Sequence, residues 1–379
     1  MPEGSADYRD AMPTGRSARA GVVALALLLA GCAGGVAVTP STTPSTTASA
    51  AAAPPLADDL TGGTPVQLGS AGHWAISAGR AFTIPDDGTV TALDLASGRT
   101  LWRAGFTTGK AWDARPQLGL STNQSTLIAV RTVDTDAGAR LNLLLLDAAT
   151  GTVLAEHLIS DPGRKWSVDL PPKVLAADAD TLVLADDPES GRQTAVVRVS
   201  DGRLLWRVDE QAVAASAGTV VTRSGGRARG DGKQRWQAAA PLGPLLAQTS
   251  DVIVVGMASS AVWFDPSLGL EIARIDDLGE AEPPCAATSD VLVCLNAGVA
   301  GYALANGTQL WASSVPAQSI AIVNDWAYLW RRDGRGDVLD ARTGHVLIAD
   351  AVLPSIRYAN GTGILVSDKN GDRWVPLVR

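Results

Sequence analysis

From Thr61 to the C-terminus, short apolar runs alternate with polar stretches that hold a glycine, and one unit keeps returning. Its first copy reads Leu93-Asp94-Leu95-Ala96-Ser97-Gly98-Arg99-Thr100-Leu101-Trp102, and its second Leu146-Asp147-Ala148-Ala149-Thr150-Gly151-Thr152-Val153-Leu154. Ser200 to Trp206, Gly230 to Trp236, Phe264 to Ile272, Ala305 to Trp311 and Leu339 to Leu347 are five more. With the glycine as zero, position +3 is Leu or Ile in six of seven copies, Arg235 being the exception. Position +4 is Trp in four copies (Trp102, Trp206, Trp236 and Trp311), and −4 is Asp in four (Asp94, Asp147, Asp265 and Asp340). A glycine between two apolar runs suits a tight turn that needs φ > 0. Each unit therefore predicts a strand, a turn and a second strand.

Upstream of most units lies a two-residue turn candidate between apolar runs. These are Ala78-Gly79, Asn123-Gln124, Ala179-Asp180, Ala217-Gly218, Ser250-Asp251, Ser289-Asp290, Asn324-Asp325 and Asn360-Gly361. Such pairs suit hairpins, Asn-Gln and Ala-Asp less well than the rest. Two hairpins per repeat make four antiparallel strands over about 40 residues, and such sheets repeated around an axis make a propeller. The last copy starts at Ser355 and supplies only three strands: Ile356 to Ala359, Ile364 to Ser367 and Arg373 to Leu377. Thr64 to Ser70 has no partner of its own, and pairing it there as a fourth strand removes two open edges. The expectation is an all-β, eight-bladed propeller over residues 61–379, its last blade closed by the N-terminal strand. Seven blades is the alternative, because the fourth repeat, about Gln211 to Ala239, is short.

The pattern Ala-Leu-Asp-x-x-x-Gly-x-x-x-Trp resembles the pyrroloquinoline-quinone-type (PQQ-like) propeller repeat. In that family the Trp packs between neighbouring blades and caps a backbone turn, a role that falls here to Trp102, Trp206, Trp236 and Trp311. The resemblance does not imply the cofactor. Quinoprotein dehydrogenases of this superfamily are longer and carry adjacent cysteines and an acidic calcium site, and this chain has no adjacent cysteines. It is more similar to the shorter, cofactor-free branch of lipid-anchored eight-bladed proteins around the outer-membrane assembly factor BamB. That branch works through loops and blade edges that bind other proteins.

The first sixty residues have a different character. Arg16 and Arg19 precede an apolar run, Ala20 to Ala30, that ends in Leu29-Ala30-Gly31-Cys32. A basic segment, a short apolar core and small residues before a cut mark an export signal over 1–31. The run is too short for a bilayer span, which takes about 20 residues. Leu-Ala-Gly-Cys resembles the lipobox of bacterial lipoproteins, in which the cysteine is lipidated and becomes the new N-terminus; the alternative is an ordinary secretory signal. Residues 32–60 are mostly Ala, Ser, Thr and Pro, a composition that cannot bury enough apolar surface to offset its ordering entropy. They read as a disordered tether with an r.m.s. reach of roughly 30 Å.

Composition narrows the function further. Net charge is −8, with no basic concentration of the kind nucleic acid requires. The three histidines, His73, His157 and His345, lie far apart. Trp outnumbers Tyr and Phe, 11 against 4 and 3, an excess that indoles wedged between blades would explain. Cys285 and Cys294 flank Ser289-Asp290 symmetrically, so a two-residue hairpin puts them opposite each other in a non-hydrogen-bonded pair, with Cα atoms about 4.5 Å apart. An exported chain can form that disulfide, with a stabilisation of roughly 2–3 kcal/mol.

The remaining candidates for chemistry have plainer readings. Asp58-Asp59, Asp86-Asp87, Asp186-Asp187 and Asp276-Asp277 are paired carboxylates, but neighbours on a strand point to opposite faces, so solvated loop charges are expected. Gly225 to Gly230 lacks a phosphate-loop pattern and reads as a tight hairpin. Arg335-Gly336-Asp337 is a chance-level tripeptide. Trp326, Tyr328 and Trp330 share a strand face, which favours core packing over an exposed binding stripe. The reading is a monomeric, non-enzymatic scaffold without cofactor or metal. It would be lipid-anchored through Cys32 to the outer face of the cell membrane and bind envelope proteins rather than nucleic acid. The alternatives are a carbohydrate-binding or sensor module for the cell wall and, behind it, a quinoprotein-type enzyme.

Overall fold

The computed structural model describes residues 66–376 except 70–73, 78, 86–87, 109, 112–115, 137, 160–170, 187–192, 258, 277, 279–283, 297, 361–362 and 369–370. The export signal, Cys32, the tether, His73, Asp58-Asp59 and Asp86-Asp87 lie outside the described residues.

All regular structure among the described residues is β, in eight sheets. Blades 1 to 7 occupy 74–104, 110–159, 173–208, 212–237, 245–275, 285–313 and 319–352, and blade 8 occupies 356–376. In blades 1 and 3 to 7 four strands follow one another in chain order across the sheet. Blade 8 takes its fourth strand from Val66–Gly69, which pairs antiparallel with Gly371–Pro376, Val66 opposite Trp374. Blade 4 has its full set, Ala212–Ala215, Thr219–Thr222, Gly225–Ala228 and Gln234–Gln237, so the count is eight and not seven. Blade 2 has a split first strand: Lys110–Ala111 and Gln117–Leu120 both pair with Thr126–Asp134.

The core is a set of eight apolar clusters, and each joins two successive blades. Ile128 and Val130 of blade 2 pack with Leu182 and Val197 of blade 3, while Leu127 and Ala129 of the same strand pack with Phe82 and Val90 of blade 1. Alternate residues of a strand face opposite sides of the sheet. A middle strand wedged between two neighbours can therefore be apolar on both faces, as Leu143, Leu144, Leu145 and Leu146 are. The eighth cluster sets Val66, Leu68 and Trp374 of blade 8 against Ile76, Ala81 and Leu95 of blade 1, which closes the ring. At that seam Trp74 Nε1 also donates to Asp372 Oδ2 at 3.0 Å.

Four local expectations need correction. Gly225 and Gly226 open a strand rather than a hairpin turn, because Gly226 lies opposite Trp236 and its missing side chain makes room for the indole. Asp186 is buried, not a solvated loop charge. Asn123-Gln124 belongs to a longer connection, since Ser121 N–H bonds Thr126 O. Asn360 is itself a strand residue, paired with Gly363, while Gly361 lies outside the described residues. Tyr328 is fully buried and stacks on Trp330 in the cluster that joins blades 7 and 8, which makes the aromatic stripe core.

Candidate functional site

Antiparallel order puts the connection between strands one and two at the same end of each blade as the connection between strands three and four. This end is called the turn face below. In the seven repeats the third-to-fourth turn has one construction. The glycine has φ between +68° and +72°, a left-handed conformation that costs other residues about 1–2 kcal/mol. Its N–H bonds the carbonyl of residue −4 at 2.8–3.0 Å. Where −4 is Asp, the carboxylate caps the turn: Asp94 Oδ1 accepts from Ala96 N, Ser97 N and Ser97 Oγ, and Asp340 Oδ1 accepts from Arg342 N, Thr343 N and Thr343 Oγ1. Side-chain hydroxyl bonds from Ser97, Thr150 and Ser267 lead the contributions that hold Asp94, Asp147 and Asp265 below the usual carboxylate range. Residue −3 ties the two turns of a blade together. Its N–H reaches the first-to-second turn at 2.7–3.1 Å in blades 1, 2, 3, 4, 6 and 7, as from Ala341 to Asp325 O. Blade 5 has Pro266 at −3 and cannot make this bond.

The bare α-carbon of each turn glycine faces the fourth strand of the preceding blade. A Cβ on Gly344 would lie 2.5 Å from the Trp311 ring, one on Gly232 2.7 Å from Trp206, one on Gly269 2.3 Å from Trp236 and one on Gly151 2.4 Å from Trp102. Three of these indoles reach across to a carbonyl at −3 of that turn: Trp206 Nε1 to Arg229 O at 2.8 Å, Trp236 Nε1 to Pro266 O at 3.0 Å and Trp311 Nε1 to Ala341 O at 2.9 Å. Trp102 sits over Gly151 and packs on Phe82, yet its Nε1 is buried with no hydrogen-bond partner.

Two further indoles do comparable packing from the third strand. Trp263 stands opposite Ala273, and a Cβ on Gly307 would meet both. Trp374 stands opposite Val66, and it is Val66 that faces Gly98 of blade 1. In blade 2, where +4 is Ala155, His157 fills the space against Gly202.

Cys285 and Cys294 are disulfide-bonded directly across the first hairpin of blade 6, with Cα atoms 4.1 Å apart. Thr288 N–H to Val291 O, 2.8 Å, closes the Ser289-Asp290 turn. Arg335-Gly336-Asp337 lies within a strand, with Asp337 buried and accepting the Asp350 N–H.

The turn face carries a depression of about 600 Å³ beside the first strands of blades 3 to 5, lined by Ala176, Ala215, Ala217, Ser216, Thr249 and Gln248 among others. Arg229 is buried at its wall, its guanidinium held by Asp178 Oδ2 at 3.2 Å, Ser216 O at 3.1 Å and Thr181 O at 2.9 Å. Burial pulls Arg229 below its ordinary value, and Asp178 opposes that pull. Arg342 repeats the device in the open, bridging Asp290 at 3.3 Å and Asp325 at 3.4 Å. At the far end of blade 2 Glu156 accepts from Thr107 N, Thr107 Oγ1, Thr108 N and Asn142 Nδ2. Burial would raise its carboxyl, but these bonds outweigh it and lower the pKa to about 2. No group of three or more His, Cys, Asp and Glu placed to hold a metal ion occurs among the described residues.

Two comparisons with known proteins bear on this arrangement. The sequence profile of the family described as outer membrane protein assembly factor BamB matches residues 64–185. Among solved structures, BamB from Moraxella catarrhalis superposes with a TM-score of 0.53 at 13% identity, over 81% of this chain and 94% of that one. The computationally designed Ika8 protein superposes with a TM-score of 0.54 at 15% identity, over 82% of this chain and 97% of that one. No curated protein matches by sequence. A designed protein fits as well as a natural one, so the superpositions speak to fold alone. The chain is an eight-bladed β-propeller, and residues 64–185, about a third of it, are similar in sequence to the BamB assembly factors.

Proposed function

We propose that this chain is an exported lipoprotein, tethered by Cys32 to the outer face of the cell membrane, whose propeller is a non-enzymatic scaffold for envelope proteins. The observation that carries the reading is the match of residues 64–185 to the BamB assembly-factor profile in a chain that closes into the same kind of ring. The lipobox-like Leu29-Ala30-Gly31-Cys32 and the Ala/Ser/Thr/Pro stretch behind it support the anchor and the tether. A ring whose blades are locked to one another by indoles and turn bonds presents rigid surfaces, and a rigid surface loses little entropy on binding.

Crosslinking in living cells followed by mass spectrometry tests the scaffold role: envelope proteins joined reproducibly to the propeller support it, and none joined at all defeats it. Intact mass of the membrane-extracted protein tests the anchor, through a lipidated Cys32 N-terminus that Cys32→Ser abolishes. The depression of about 600 Å³, where Ser216, Thr249, Ser250 and Gln248 are set among alanines, leaves one second reading, a small ligand such as a cell-wall sugar. Pull-down on cell-wall polysaccharide separates that reading from the first.

A further inference from the structure

The repeats offer an internal comparison, since seven turns of one construction show which positions the fold constrains. At −1 the residues are Ser97, Thr150, Asp201, Asp231, Asn306 and Thr343 in six copies, and at +1 they are Arg99, Thr152, Arg203, Lys233, Thr308 and His345. All are polar, as solvent-facing turn positions should be. Blade 5 departs at both, with Leu268 and Leu270, each 61% exposed, and Ile272 two residues on is 43% exposed. It departs at −3 as well, where Pro266 deletes the bond that ties the two turns of the other six blades together. A recess of about 250 Å³ lies at this place, between the turns of blades 4 and 5, lined by Asp251, Asp265, Pro266, Ser267, Arg235 and Thr219. Arg235 is turned aside, its Nη1 donating to Thr219 Oγ1 at 2.9 Å. Nothing in the fold asks for these leucines: the glycine conformation, the Asp265 cap and the docking on Trp236 are all kept. Exposed apolar side chains that the scaffold does not use mark an interaction site.

Charge says what kind of partner fits. On the turns of blades 5 to 7, this face carries Asp251, Asp265, Asp290, Asp325 and Asp340 against Arg342 as the one formal cation. An anionic lipid surface would be repelled there, and a second copy would bring the same charges against themselves. A basic protein surface is attracted and steered in.

We propose that the blade 5 turn is a docking knuckle. Leu268 and Leu270 seat in an apolar hollow of a protein partner whose rim is rich in lysine and arginine, and the carboxylates of blades 5 to 7 meet that rim. The proposal rests on the scaffold reading above and gives it a place and a partner chemistry.

The test uses the full-length protein in its own cells, with a photo-crosslinking residue at position 268, at the matching position 150 of blade 2, or at 175 on the opposite side of the ring. The variant Leu268→Ser/Leu270→Thr carries residues that other copies have at these sites and keeps the fold, checked by an unchanged melting temperature. The expected result is a protein adduct from 268 and not from 150, with its partner residues mapping to an apolar, lysine- and arginine-flanked surface. That adduct should fall roughly tenfold or more in the double leucine variant, and again in Asp251→Lys/Asp325→Lys, because buried aliphatic anchors and facing charges carry such contacts. Adducts from 175 and none from 268 overturn the knuckle while leaving a scaffold. An adduct of the chain with itself, or with lipid, overturns the proposed partner. No protein adduct from any position defeats the scaffold reading itself.

Discussion

Replacing each repeat tryptophan by phenylalanine separates the two things an indole does between blades, because three of the four make a hydrogen bond that the fourth does not. Trp311, Trp206 and Trp236 donate Nε1–H across the interface, while Trp102 buries its Nε1–H without an acceptor. Trp→Phe removes a similar ring area at every site, about 1 kcal/mol of apolar burial. At Trp311 it also deletes a neutral hydrogen bond worth about 1 kcal/mol and strands the Ala341 carbonyl, for a total near 2 kcal/mol. At Trp102 the lost area is offset by removing an orphaned donor, whose burial costs about 1–3 kcal/mol, so the balance is near zero or stabilising. The gap between Trp311→Phe and Trp102→Phe should be about 2 kcal/mol, or a few degrees in melting temperature for a domain of this size. Calorimetric or circular-dichroism melting reads it directly, with Trp206→Phe and Trp236→Phe expected to follow Trp311→Phe. A Trp102→Phe protein that loses as much stability as Trp311→Phe would refute the reasoning.

Other outcomes follow from the same geometry. Gly344→Ala should cost about 3 kcal/mol, from a left-handed alanine and a methyl driven into Trp311; Gly334→Ala, also at positive φ but with open space around it, should cost about 1 kcal/mol, as denaturant midpoints will show. Asp372→Ala strands the Trp74 indole N–H and the Ser367 hydroxyl at the ring seam, so amides of Trp74–Ser77 should exchange faster with solvent than in the parent, while those of blade 4 keep their protection. Glu156 has a folded pKa near 2, depressed from an ordinary value of 4.5, so its stabilising contribution is in full force above about pH 4.5 and is lost as pH falls towards 2. Glu156→Gln should accordingly lower stability by roughly 1–2 kcal/mol at pH 7, discounted because the carboxylate is only half-buried, and by little at pH 2; a penalty independent of pH would contradict the assignment.

The ring was legible in the sequence because each blade writes out the same turn. The glycine recurs in seven copies, the aliphatic at +3 in six and Asp at −4 in four, and eight short hairpin signals give the count independently. The aliphatic at +3 shows the limit of that legibility. Leu101, Leu154, Ile272, Leu310 and Leu347 are all exposed on fourth strands, so an apolar residue that recurs in a repeat need not be core. Trp263 and Trp374 were missed because a motif tied to +4 sees only the fourth strand. Ala273 at +4 was the available signal, since a small residue at a wedge position means the volume must come from its cross-strand neighbour. Gly225-Gly226 misled in the opposite direction: adjacent glycines look like a turn, and only the pairing of Gly226 with Trp236 shows why a strand would carry them. Asp186 read as solvated because charge alone does not reveal which loop folds inward.

The interchange of indole between strands explains how the ring can close with a segment from the far end of the chain. At seven of the eight joints a bare glycine receives a side chain from the blade before it, and what matters is that the space is filled, not which strand fills it. In blade 5 Trp263 supplies the bulk and Ala273 stays small. Blade 8 follows that second solution, with Trp374 on the third strand and Val66 opposite it on the fourth. The closing strand therefore need not bring an indole; a valine, Val66, fits against Gly98 because the larger residue is already in place across the ladder. Val66 also lies at the turn-face end of its strand, since it pairs with Trp374 while Gly69 pairs with Asp372. The side chains of this short closing strand are wedged between blades 8 and 1, and the seam bond from Trp74 to Asp372 braces the same interface from the first strand of blade 1.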